Sequence, residues 1–166
     1  AGTVRVLSQD DLSTVGVIND LPNVGDVVGD SERGLVWIVY RHFASEPDSL
    51  GGVVLLDASQ DTVVREWRVG GPTRIALDAS TGSAYVLHAS GIDELQLEGT
   101  QRRVIDHEST TSGDTWYSIY FDQVTRHLVI GNARQFVTDG EVLEYTTDGQ
   151  FIGSVGVGLN PTAISR

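Results

Sequence analysis

Three stretches of this chain carry the same turn. VGDVVGDSERGLVWIVY (24–40), RIALDASTGSAYVLH (74–88) and SIYFDQVTRHLVIGN (118–132) each run as an apolar strand, Asp-x-x-x-(Gly/Arg), then a second apolar strand. Their aspartates, Asp30, Asp78 and Asp122, stand 48 and 44 residues apart. An Asp at the start of a tight turn closes its side chain onto the backbone two residues on, so each site reads as a four-residue Asx turn. One turn recurring at nearly constant spacing restricts the chain to repeat architectures.

A second pattern interleaves with the first: a Gly, an alternating strand, a polar turn and another strand. It appears at 2–18 and 51–69, more weakly at 91–106, and again at 140–157, where Asp148-Gly149 is a strong hairpin signal. Apolar residues alternate with period two almost throughout, and no stretch keeps a helical period over eleven residues. The unit is therefore four short antiparallel strands, a to d, in about 40–50 residues, the size of a β-propeller blade. The expected fold is all-β, a propeller of about 3.5–4 blades within residues 1–166. The blades fall at 1–20 (incomplete), 21–69, 70–106 and 107–158, followed by a closing strand at 159–166. A sandwich of hairpins is the alternative, but it gives no reason for one turn to recur. PTAISR (161–166) repeats the opening of PTRIALD (72–78), so the order becomes cd, abcd, abcd, abcd, a: fifteen strands. Three completions fit this order: half of a six- to eight-bladed ring, two copies forming a ring, or a compact four-bladed ring.

The stretch GGVVLLDASQDTVVREWRVGGPTRIALDASTGSAYVLH (51–88) resembles the YVTN-type bacterial propeller repeat, with His88 where that repeat usually has Asn. Residues 116–165 are similar to the end of exported propeller lipoproteins of Bacteroidetes-like bacteria, which also close on a G-x-N-P segment. The resemblance implies a propeller that is exported to the periplasm, cell surface or exterior. It is specific for fold and poor in information about function, since relatives range from surface-binding proteins to enzymes.

Charge narrows the partners. Acidic and basic residues number 23 and 11, for a net charge of −12, and every one of the basic residues is Arg. A surface of dense carboxylates without Lys is expected of a protein working in high salt, where self-repulsion is screened; GC-rich codon usage is the rival explanation. Such a surface disfavours nucleic acid and anionic membranes. The longest apolar runs, such as GLVWIVY (34–40), are too short to span a bilayer as a helix. The absence of Cys excludes disulfides, thiol catalysis and cysteine-ligated metals.

In a propeller the d–a and b–c connections gather on one face. Here the b–c connections bring Arg41, His42 and Phe43, then His88, then Asn132, Arg134, Gln135 and Phe136. The d–a connections add Arg74, Trp116 and Tyr117. Aromatic faces stack on sugars or peptides, while guanidinium and amide groups bond hydroxyls and carboxylates. No catalytic set converges: there is no G-x-S-x-G elbow, and GSVGVG (153–158) leads to Asn-Pro rather than a helix. Asp106 and Glu108 alternate in direction with His107, so no metal site is expected there. The chain thus reads as a non-catalytic binding or scaffold module, without a cofactor or metal. Its ligand would be a glycan, a peptide or a partner subunit, and self-association or a missing propeller half is expected. Two alternatives stand: an enzyme or haem/quinone-type domain using His42 or His88, and a structural subunit of a filament or surface layer.

Overall fold

A computed structural model describes residues 2–8, 10–41, 51–107 and 114–159. Among them are fourteen strands in one two-stranded and three four-stranded sheets, each following chain order. The fifteenth expected strand, at 161–166, lies outside the described residues. The chain divides into two compact units, Ala1–Pro72 and Thr73–Arg166.

In the first unit, β1 (Gly2–Leu7) and β2 (Thr14–Leu21) form the two-stranded sheet. Strands β3 (Val24–Asp30), β4 (Leu35–Tyr40), β5 (Gly51–Asp57) and β6 (Thr62–Val69) form a four-stranded antiparallel meander. Ile18 and Leu21 of β2 pack with Ile38, Tyr40, Val54 and Leu56 in one apolar cluster. The central strand β5 is a continuous apolar run because both its faces are buried, whereas β6 alternates exposed Glu66 and Arg68 with buried Trp67 and Val69. On the opposite face of the meander, Trp37 and Trp67 stack with centroids 5.1 Å apart.

The second unit holds two such meanders. One comprises β7 (Pro72–Leu77), β8 (Ala84–His88), β9 (Gly91–Leu95) and β10 (Gln101–Asp106). The other comprises β11 (Trp116–Asp122), β12 (His127–Asn132), β13 (Glu141–Thr146) and β14 (Phe151–Gly156). Tyr85, Leu87, Ile92 and Ile105 of the first pack against Phe121, Leu128, Ile130 and Leu143 of the second. The β9–β10 hairpin, weak in sequence, pairs from Gln101↔Leu95 to Asp106↔Gly91 with one irregularity, between Arg103 and Ile105. Asp148-Gly149 turns β13 into β14 as its residues demand, with Gly149 at φ 83°.

The recurring turn is more widespread than its sequence signature. It spans five residues, and the fifth is left-handed: Gly34 (φ 67°), Gly82 (φ 79°) and Arg126 (φ 59°). The hairpins that begin at Ser8 and Asp57 build it too, with Leu12 (φ 59°) and Asp61 (φ 53°) in that place. In each, the first side chain accepts a backbone N–H: Asp10 to Ser8, Arg33 to Asp30, Ser59 to Asp57, Ser80 to Asp78 and Val124 to Asp122.

Arg126 is costly at a left-handed position, by about 1–2 kcal/mol relative to Gly. Its reach explains its presence. The guanidinium donates to both carboxylate oxygens of buried Asp78 at 2.6 and 3.2 Å and to Ser80 Oγ at 2.6 Å. Beside it, Gln123 donates to the Leu77 carbonyl and accepts from Ala79 N–H. The β11–β12 turn therefore latches onto the β7–β8 turn. Burial pushes the Asp78 carboxyl up, but hydrogen bonds from Arg126, Ser80 and Thr81 outweigh it and hold the group down at about 2.

Candidate ligand-binding site

Strands β7 and β11 begin, and β8 and β12 end, at one end of the second unit's sheets. Two backbone irregularities shape that end. Strand pairing steps from Trp116↔Asn132 to Ser118↔Gly131, so Tyr117 is the extra residue of a β-bulge. Bulges re-aim side chains. Farther on, Arg134 (φ 42°), Gln135 (φ 60°) and Phe136 (φ 63°) are left-handed in succession. Each costs about 1–2 kcal/mol, and left-handed residues other than Gly normally occur singly.

Asn132 holds this run in place. Its fully buried amide makes four hydrogen bonds: Oδ1 accepts from Thr115 N–H (2.9 Å) and Arg134 N–H (3.2 Å), and Nδ2 donates to Asp114 (2.8 Å) and Glu141 (3.2 Å). That is the full capacity of an amide side chain. Gln135 N–H donates to Thr115 Oγ1, Phe136 N–H to the Ala133 carbonyl, and the Arg134 guanidinium pairs with Glu141 at 3.0 Å.

What these devices present is a small aromatic–cationic cluster. The Arg74 guanidinium lies over the Tyr117 ring, 5.2 Å from its centroid. Phe136, about half exposed, meets Tyr117 edge-on at 5.2 Å and 90°. Arg74 donates to the Thr73 carbonyl and, among the described residues, has no carboxylate partner. On a chain of net charge −12, a guanidinium with no carboxylate partner among the described residues thus lies over an aromatic ring that a second ring meets edge-on.

The other expected site residues are placed differently. Asn132 is internal scaffolding. Trp116 is half-buried, stacked on His107 at 4.2 Å and tilted against Tyr145. His88 turns inward, with its side chain only 2% exposed. Its Nδ1 accepts from Ser90 N–H, and its Nε2 lies 3.3 Å from Asp93 Oδ1 without the alignment of a hydrogen bond. Asp93 also accepts from Gln101 and Arg103; burial raises its pKa, and these contacts and the nearby His88 drive it well below the usual carboxylate range. Arg41 is exposed in the first unit, and His42 and Phe43 lie outside the described residues. GSVGVG forms the end of strand β14 and runs two residues beyond it, into no helix. The bulge and the left-handed run escaped the sequence reading, since neither needs a glycine to mark it here.

No family model matches the chain, and no curated protein matches it. Solved structures do. A gluconolactonase of Xanthomonas campestris is 16% identical with a TM-score of 0.64, over 93% of this chain and 54% of its own. The β-propeller domain of the Trilobed protease of Pyrococcus furiosus is 12% identical with a TM-score of 0.55, over 83% of this chain and 44% of its own. This chain is built of β-propeller blades. A nidogen/laminin complex matches as well, at 13% identity and a TM-score of 0.63, covering 95% of this chain and 59% of the matched one. The chain spans between two fifths and three fifths of the length of these propeller structures. The neighbours include an enzyme and a protein-recognition complex, so the blades alone do not choose between the two.

Proposed function

We propose that the chain is a non-catalytic propeller module of the YVTN type, exported, that binds a ligand through the Arg74–Tyr117–Phe136 cluster. The observation that carries this reading is the strain spent on it: a bulge at Tyr117 and three consecutive left-handed residues at 134–136 bring together two rings and a guanidinium that has no carboxylate partner among the described residues. Costly backbone conformations concentrate where a surface has work to do. A ring face beside a guanidinium suits a saccharide carrying a carboxylate: the ring stacks on the sugar and Arg74 takes the charge. A peptide carboxylate offers related chemistry, and a partner subunit uses the same anchors. The burial of His88 counts against the arm of the histidine-dependent enzyme reading that uses His88.

Saturation-transfer NMR and calorimetry with uronate-containing oligosaccharides and their neutral counterparts test this. Binding of the acidic series, weakened about tenfold or more by Tyr117→Ala and by Arg74→Ala with unchanged unfolding temperature, is expected. Binding indifferent to both changes would sink it.

A further inference from the structure

The last sheet in chain order buries one face and leaves the other open. Leu128, Ile130 and Leu143 pack towards β7–β10. Strand register sets the intervening residues on the opposite face, in one row of Tyr120, Val129 and Glu144 and a second of Gly131, Val142 and Val155. Val155 is 68% exposed, and Tyr120, Val129 and Val142 are partly exposed. The repeat shows what such a face does elsewhere. Tyr120 and Val129 stand two residues before and seven after the turn aspartate, as Ala76 and Tyr85 do in the preceding blade. Those two are buried in the core shared with β11–β14, where Tyr85 stacks on Phe121 at 5.4 Å. The β11–β14 sheet therefore turns to solvent the face that its neighbour buries against a sheet.

The first sheet shows the converse. Val4 and Ile18, directly opposed, pack towards β3–β6. Arg5 and Val17 form the next pair and point the other way, as does Leu7, two residues on from Arg5. Leu7 and Val17 are about half exposed, and Arg5 is exposed with no carboxylate partner among the described residues. On the β11–β14 face the matching charge is Glu144, partly exposed, with His127 Nδ1 2.7 Å from its Oε1. Each open face sets aliphatic side chains around a charged group, and Arg5 and Glu144 have opposite signs. Exposed apolar surface of this kind, edged by polar groups, marks a docking site.

We propose that the open face of β11–β14 docks the open face of β1–β2 in a second copy of this chain. Arg5 of one copy pairs with Glu144 of the other, and Leu7 and Val17 pack on Val142 and Val155. Charge selects this arrangement. A contact between two identical faces opposes Arg5 to Arg5 or Glu144 to Glu144, and like charges juxtaposed at an interface are strongly unfavourable. The head-to-tail contact opposes unlike charges instead. Each copy offers both faces, so the contact is heterologous, and every face is covered only when the copies close into a ring. None of the residues of the proposed ligand site takes part.

The test uses the full 166-residue chain in about 0.15 M salt, where a screening length of roughly 8 Å lets copies of like net charge approach without erasing a direct ion pair. Sedimentation equilibrium reads the mass. The wild type is expected at a defined multiple of 17.9 kDa. Arg5→Glu and Glu144→Arg each oppose like charges and should weaken association about tenfold or more. An equal mixture of these two variants has unlike charges at every contact, as does the double variant, so both should recover the wild-type mass. If Glu144→Arg fails to fold, Val17→Asp and Val155→Asp, at exposed places on the two faces, should each give monomer. A monomeric wild type, or a mixture of folded charge variants that stays monomeric, overturns the proposal. Ser154→Glu charges the exposed edge strand on its other face and should leave the mass unchanged; loss of assembly in that variant points to edge-to-edge strand pairing and also overturns it.

Discussion

Gln135 sits at φ 60° between two other left-handed residues, and nothing about its side chain repays that conformation locally. Glycine would adopt it freely. Gln135→Gly is therefore expected to stabilise the chain by about 0.5–1 kcal/mol, the relief of left-handed strain less the extra chain entropy of glycine. The same change should weaken ligand binding, because it loosens the turn that positions Phe136. Denaturant unfolding and a binding titration on one variant check both halves. Asn132→Ala has the opposite sign for stability. It strands the Thr115 and Arg134 N–H groups, at an expected cost of about 2–4 kcal/mol in chemical denaturation. The sequence made Asn132 a candidate ligand; its four internal hydrogen bonds make it a support.

At the scale of elements, the turn that begins at Asp122 adds a polar tie to the apolar packing between two blades. Arg126→Gly restores the residue found at the matching places, Gly34 and Gly82, and relieves left-handed strain. It also leaves the buried Asp78 carboxylate without its guanidinium, and loss of a partner from a buried charge outweighs the relief. A net loss of stability in chemical denaturation is expected. The same latch sets an acid limit. The Asp78 carboxyl is near 2 when folded and near 4 when unfolded, so its stabilising effect is complete above about pH 4 and disappears as pH falls towards 2. Unfolding followed between pH 5 and 2 should show the wild type losing stability faster through that window than Arg126→Gly. Parallel pH profiles for the two would refute the latch.

For the whole molecule, charge and exposed apolar surface pull in different directions. Twenty-three acidic against eleven basic residues repel one another, and salt screens them. The unfolding temperature should rise between dilute buffer and molar KCl; a flat response would leave the Arg-only composition to codon usage. Meanwhile Phe151, Ile152 and Val155 of the edge strand β14, and Val15 and Val17 of β2, are each about half exposed or more. Strands with such faces pair with other chains unless covered. Light scattering in molar salt is expected to give a defined multiple of 17.9 kDa, whereas a clean monomer would count against assembly.

Much of this protein is local and therefore readable. Period-two alternation marks the strands, and turn residues at Asp30, Asp78, Asp122 and Asp148-Gly149 mark the hairpins, because those preferences act within a few residues. Even so, the turns at Ser8 and Asp57 read only as polar turns and not as copies of the Asp30 turn, their left-handed places being filled by Leu12 and Asp61 rather than Gly. Which way a side chain faces, and what it meets, was decided only by packing. His88 looked like a loop histidine and is buried beside Asp93. Arg126 answers to Asp78, 48 residues earlier. Ile18 and Glu66 enclose one cavity although 48 positions separate them. Alternation and turn chemistry are properties of neighbours in the chain; partners, bulges and cavities depend on segments that only folding brings together.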